Sequence, residues 1–206
     1  MDEHIIASIQ MDGIKIIKRY MRGAIWRGMV FGILAVLMMA VPATGRADQS
    51  DEQLDGLFDR LRSTADPMEA RILEIQIWRI WTDTGRDDMN VLMTQGTQAM
   101  ARGRLQEAIA IFDEVVITLP NFAEGWNKRA TAHYLSKDYT ASVTDIERTL
   151  ALEPRHFGAI SGMGLIFMAR GDETGALHAF EEVLKIHPHA SGAKARVEEL
   201  RKRLRI

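Results

Sequence analysis

The sequence predicts an all-α protein, a solenoid of stacked helix pairs, and three observations carry that reading. Prolines stand at 120, 154 and 188, two intervals of 34 residues. Around them the same columns recur: Phe112, Ile146 and Phe180 lie eight residues before each proline, Ala108, Ser142 and Ala176 twelve before, and Gly96, Ala130 and Gly164 twenty-four before. Two further columns, Val115/Thr149/Val183 and Leu92/Trp126/Ile160, also keep their size across the three units. Alternating small and large positions at helical spacing are what two closely approaching helices require.

Along the chain, residues 1–47 read as an export signal. Lys15, Lys18, Arg19, Arg22 and Arg27 form a basic stretch before the uncharged run from Met29 to Val41, and Pro42 and small residues lead to a cleavage point at Ala47. Thirteen apolar residues reach about 20 Å, short of the roughly 30 Å hydrocarbon core, so a cleaved signal is favoured over a permanent membrane helix. The basic stretch is long for such a signal, and Met21 makes a more conventional start. The segment holds six of the 26 basic residues and three of the 28 acidic ones, so its removal leaves a net charge of about −5. A mildly acidic chain is poorly suited to nucleic acid, whose affinity comes mostly from neutralised phosphates.

Residues 48–88 hold an N-terminal helix pair. Leu54, Leu57, Phe58 and Leu61 share one helical face, and Asp66-Pro67-Met68-Glu69 marks the start of the second helix. That helix, with Ile72, Leu73, Ile75, Ile77, Trp78, Ile80 and Trp81, is too apolar to leave one side wet. Trp78 lies 34 residues before Phe112, which suits a degenerate fourth repeat capping the N-terminal end. The three units then run 89–122, 123–156 and 157–190. Each proline stops a second helix because it lacks an N–H. Arg102-Gly103-Arg104, Ser136-Lys137-Asp138 and Arg170-Gly171-Asp172 fall at the same place between the helices of each unit. Residues 191–206 carry Ala193, Val197, Leu200 and Leu204 on one stripe, the pattern of a helix that shields the last unit.

The columns resemble the tetratricopeptide repeat, with its W-x2-L-G-x2-Y…A-x3-F…P pattern over 34 residues. The middle unit departs from it in having Arg129 and His133 where Leu and Tyr are usual, which shifts attention to Tyr134 and Leu135. The resemblance implies a right-handed solenoid whose concave face is lined by the first helix of each unit, and a protein or peptide as partner. The candidate partner-binding residues are Asn90, Met93, Thr97 and Met100, then Asn127, Thr131 and Tyr134, then Ser161, Leu165 and Met168. Met93, Met100, Leu165 and Met168 would be apolar groups on a wet face, which favours a groove for a ligand. Packing of this face by the N-terminal helices or by a second copy of the chain is the alternative. Family members that clamp chaperone tails use Lys, Asn and Arg side chains where this chain has Met93, Thr97, Lys128, Gly158 and Gly162. That clamp is not expected here. The resemblance extends to small exported repeat proteins of Gram-negative bacteria, which implies a periplasmic adaptor or assembly factor attached to the membrane only through its export signal.

Other chemistries find little support. The chain has no cysteine, so thiolate metal sites, disulfides and cysteine nucleophiles are excluded. His178, His187 and His189 lack the spacing of known zinc motifs, and no metal or cofactor is expected. His156 sits between units, where a hydrogen bond to a neighbouring turn is the favoured role. Lys128 and Arg129 are read as solvated or paired with Glu124 and Glu147, in preference to an anion site. No nucleophile elbow or phosphate loop occurs, so no enzyme is expected.

Overall fold

Four of the nine described helices start at a side chain that takes an orphan backbone N–H. In the computed structural model, which describes residues 49–205, Asp66 accepts from the Met68 N–H at 2.9 Å with Pro67 in the first helical position. Asp138 accepts from Ala141 at 3.0 Å and Asp172 from Gly175 at 2.8 Å. The described residues form nine helices and no strand: α1 Gln53–Ser63, α2 Pro67–Thr82, α3 Asp87–Ala101, α4 Leu105–Thr118, α5 Ala123–Leu135, α6 Tyr139–Leu152, α7 Phe157–Ala169, α8 Glu173–Ile186 and α9 Ser191–Leu204. The all-α solenoid expected from the columns is therefore the observed architecture. The export signal expected at residues 1–47 lies outside the described residues.

The helices α3 and α4, α5 and α6, and α7 and α8 pack as antiparallel pairs, each leaning on the next, and α9 covers α8. Within a pair the small column meets the large one. A Cβ added at Gly96 would stand 2.6 Å from the Phe112 ring, and one at Gly164 would stand 2.9 Å from the ring of Phe180. Both rings are buried. In the middle unit the match is looser: Ile146 takes the ring's place, and the Ser142 hydroxyl donates to the Ala130 carbonyl at 2.8 Å, which satisfies a buried polar group.

The tight turns inside the units share a left-handed residue. Gly103 and Gly171 take it at φ 73° and 78°, where a missing Cβ is an advantage, but the middle unit places Lys137 there at φ 64°. Arg129, unexpected on pattern grounds, ties the first two units together. Its guanidinium donates to both carboxylate oxygens of the buried Asp145, at 2.8 and 2.6 Å, and to Asp113 at 2.7 Å. The sequence-based pairing of Arg129 with Glu147 is corrected: two aspartates on the facing second helices are within its reach.

The N-terminal pair is not a fourth repeat stacked ahead of the first. Gly85, at φ 67°, turns the chain between α2 and α3. The hairpin α1–α2 folds back toward the later units, with α2 against α5 and α1 against α8. The reason lies in its aromatic side chains. Trp81 stacks on His156 with ring centroids 4.2 Å apart, and Trp78 meets Phe157 edge-on at 5.5 Å. Leu54, Phe58, Leu61, Leu73 and Ile77 join the same buried cluster as Ile160, Met163 and Phe180. A fourth-repeat placement would leave this surface to the first unit alone; folding back buries it against two.

Two substitutions test the packing and the turn. Gly96→Ala forces the Phe112 ring aside and should lower stability by about 1–3 kcal/mol in urea unfolding. Lys137→Gly relieves a left-handed residue and should raise it by about 1 kcal/mol.

Candidate functional site

A cleft of about 540 Å3 opens between the hairpin and the first helices of units 1 and 2. Asn90, Met93, Thr94, Thr97 and Gln98 of α3 line one side, Lys128 of α5 closes the floor, and Arg79, Thr82 and Asp83 come from the end of α2. Successive turns of α3 place residues 90, 93, 94, 97 and 98 on one stripe, as spacing of three and four requires. The volume lies within the roughly 300–1,000 Å3 usual for ligand pockets.

Most polar groups of the cleft are held by the chain itself. The Thr94 hydroxyl donates to the Asn90 carbonyl and that of Thr97 to the Met93 carbonyl, at 2.9 and 2.8 Å. The Thr82 hydroxyl donates to Trp78 at 2.8 Å. Asn90 accepts from the Thr84 backbone and hydroxyl and donates to Asp83 at 3.2 Å. Lys128 pairs with Glu124 at 3.3 Å, as the sequence suggested.

Beneath Lys128 lies a buried carboxylate system. His156 accepts the Ala159 N–H on Nδ1 at 3.1 Å and so carries its hydrogen on Nε2, which faces Glu124 at 3.0 Å. The expected role of His156 as a hydrogen-bonding group between units is thus what the structure shows: it caps α7. Asn127 donates to the same carboxylate at 2.8 Å. Burial works against the Glu124 carboxylate, but the hydrogen bond from His156, the charge of Lys128 and the Asn127 amide outweigh it and hold its pKa below the ordinary value. A second charged latch joins the hairpin to the loops. Glu74 faces His187 at 3.4 Å, and that hydrogen bond holds its carboxyl low despite partial burial. Arg155 reaches Asp55 at 2.6 Å, and His189 contacts the Thr64 carbonyl at 3.0 Å.

The ten residues singled out by register separate into groups. Asn90, Met93 and Thr97 meet in the cleft. Met93, expected to be wet, is 6% exposed in the core of unit 1 beside Phe112 and Phe122. It lines the cleft only in part, because α3 rotates its stripe partly toward the unit's own second helix. Met100 packs at the edge of the same core. Asn127 turns inward to Glu124 and is 8% exposed. Thr131 donates to the Asn127 carbonyl at 2.9 Å. Tyr134 packs on Tyr139 at 5.7 Å. Leu165 and Met168 are half-buried against the large core rather than wet, and Ser161 is half-buried too. Trp78 stands 2.9 Å from where a Gly158 Cβ would be, so the concave side of unit 3 is closed at its first position. Register alone missed Thr94, Gln98 and Lys128 on the first helices, and Arg79, Thr82 and Asp83, which belong to the hairpin.

Comparison with known proteins follows the same outline. The family model described as "Tetratricopeptide repeat" matches residues 93–157 and 128–191. A TPR repeat-containing protein of Rhizobium etli is 37% identical over 153 residues, 74% of this chain and 75% of that protein. The chain is also similar in fold to the first TPR of Spaghetti bound to an HSP90 peptide, with TM-score 0.54, 22% identity, and 57% and 94% of the two chains covered. The Sgt2 TPR domain of Aspergillus fumigatus gives TM-score 0.54 and 22% identity over 58% and 81% of the two chains.

The two depressed carboxyls set a pH dependence. A carboxyl whose folded pKa lies below its unfolded value adds stability that is in place above the unfolded value and is lost as pH falls through the folded one. The urea midpoint should therefore drop as pH falls through the folded values of these carboxyls, and Glu74→Gln should flatten that slope.

Proposed function

Because the chain belongs to the tetratricopeptide-repeat family, we propose that it is a non-catalytic protein-interaction module that holds a peptide or protein segment in the cleft between the hairpin and units 1 and 2. The observation that carries this reading is the cleft itself: a concave space with mixed amide, hydroxyl and thioether lining, open to solvent on a rigid helical frame. The related structure bound to an HSP90 peptide supports a peptide as ligand for this fold. We further propose that the module works in the bacterial cell envelope as an adaptor or assembly factor, after export directed by the basic and apolar residues at its N-terminus.

Self-association is the second reading, favoured by one observation. Met68, Ile72 and Ile75 form an exposed apolar stripe along α2.

A photo-reactive phenylalanine at Thr94 or Gln98, both exposed in the cleft, should cross-link a partner protein in intact cells, while one at the exposed Ile117 of α4 should not. Mass spectrometry identifies the product. Recovery of self-links alone would replace the adaptor reading by self-association, and equal products from all three positions would remove the cleft from consideration. Met93 is a poor probe, since a charge there would sit in the core of unit 1.

A further inference from the structure

We infer that the ligand segment carries a carboxylate and that Arg79, a residue outside the repeats, is what selects it. This deepens the reading of the cleft as the peptide site and rests on it. Three charged side chains line the cleft, and two are already engaged. Lys128 faces the buried Glu124 at 3.3 Å. The Asp83 carboxylate accepts from the Gly85 N–H at 2.9 Å and the Asn90 amide at 3.2 Å. Arg79 is exposed, and among the described residues its guanidinium has neither a hydrogen bond nor an ion pair. The Gln98 amide is likewise unengaged among those residues.

Hydrogen-bond capacity points the same way. The Thr82, Thr94 and Thr97 hydroxyls each donate into their own helix. The N–H groups left over belong chiefly to Arg79, Gln98 and the remaining hydrogens of Lys128. A ligand that matches them must bring acceptors, and a guanidinium is best met by a carboxylate, through two parallel bonds. Neither Lys128 nor Gln98 could substitute for it: one spends its charge on Glu124, and the other has none. The hairpin that supplies Arg79 also seats Trp78 over Gly158. The segment therefore lies over units 1 and 2 and does not run the length of the solenoid.

Selection from random heptapeptide libraries tests this, with binding through the cleft defined by its loss in Thr97→Trp. One library ends in a free carboxyl terminus, and the other is embedded between neutral residues with an amidated end. Expected is enrichment of Asp and Glu in the embedded library, or of a terminal carboxylate in the first library alone. The two results distinguish side-chain from chain-end carboxylates, and both support the inference. Arg79→Ala should erase the enrichment and weaken the selected peptides about tenfold, with Arg79→Lys recovering part of it. Circular dichroism should show the fold unchanged, because Arg79 has no partner to lose among the described residues. Cleft-dependent peptides without acidic enrichment, or enrichment that survives Arg79→Ala, would overturn the inference and leave the interaction module standing. Failure to select any cleft-dependent peptide would overturn both.

Discussion

Everything in this molecule depends on how closely two helices of a unit approach. Gly96 and Gly164 have no Cβ because the rings of Phe112 and Phe180 lie where one would be. That contact sets the spacing within the first and third units, and the spacing determines which stripe of each first helix faces inward. A buried Phe contributes about 2–3 kcal/mol of apolar stabilisation, and crowding it forfeits much of that. The middle unit manages with Ile146 and a serine hydroxyl, and it makes up the contact elsewhere. Arg129 bridges Asp113 and Asp145 and lies 4.8 Å from the Trp126 ring centre, tying the second helices of units 1 and 2 together through one guanidinium.

The hairpin is held by a different balance. Its apolar residues supply most of the burial and its aromatic rings set where it sits, while ion pairs and histidine contacts fasten its edges. Trp81 over His156 places an aromatic plane on a ring whose two nitrogens are already engaged by Ala159 and Glu124. A buried carboxylate is tolerated there because His156 and Asn127 donate to one oxygen and the Lys128 charge lies 3.3 Å from the other. The same carboxylate holds Lys128 at the cleft floor, so the packing of the hairpin and the electrostatics of the cleft are set together. The cleft is thus a surface built from repeat and non-repeat elements.

Much of the fold was legible because it is periodic. The proline interval, the small and large columns and the turn register are local properties of a 34-residue unit, and each leaves its mark in residue size. His156 could be placed between units for the same reason. The site was only partly legible. Asn90, Met93 and Thr97 were named from register and do meet in one place, but register treats every inward position as equally exposed. Met93 and Asn127 are not, since one rotates into its unit's core and the other turns to Glu124. The cleft's other wall could not be found this way. Arg79 belongs to no repeat, and its sequence neighbours say only that α2 must be covered.

By itself, then, the sequence determined the helical units, their order, the turns between them and the need to bury α2, because these follow from side-chain size and spacing within short stretches. The tertiary structure decided where α2 goes, and with it the extent of the concave face and the charge that lines it. The physical reason is that an apolar helix specifies burial but not a direction. Gly85 turns the chain back, and Trp78 and Trp81 find His156, Phe157 and Gly158 about 75 to 80 residues away.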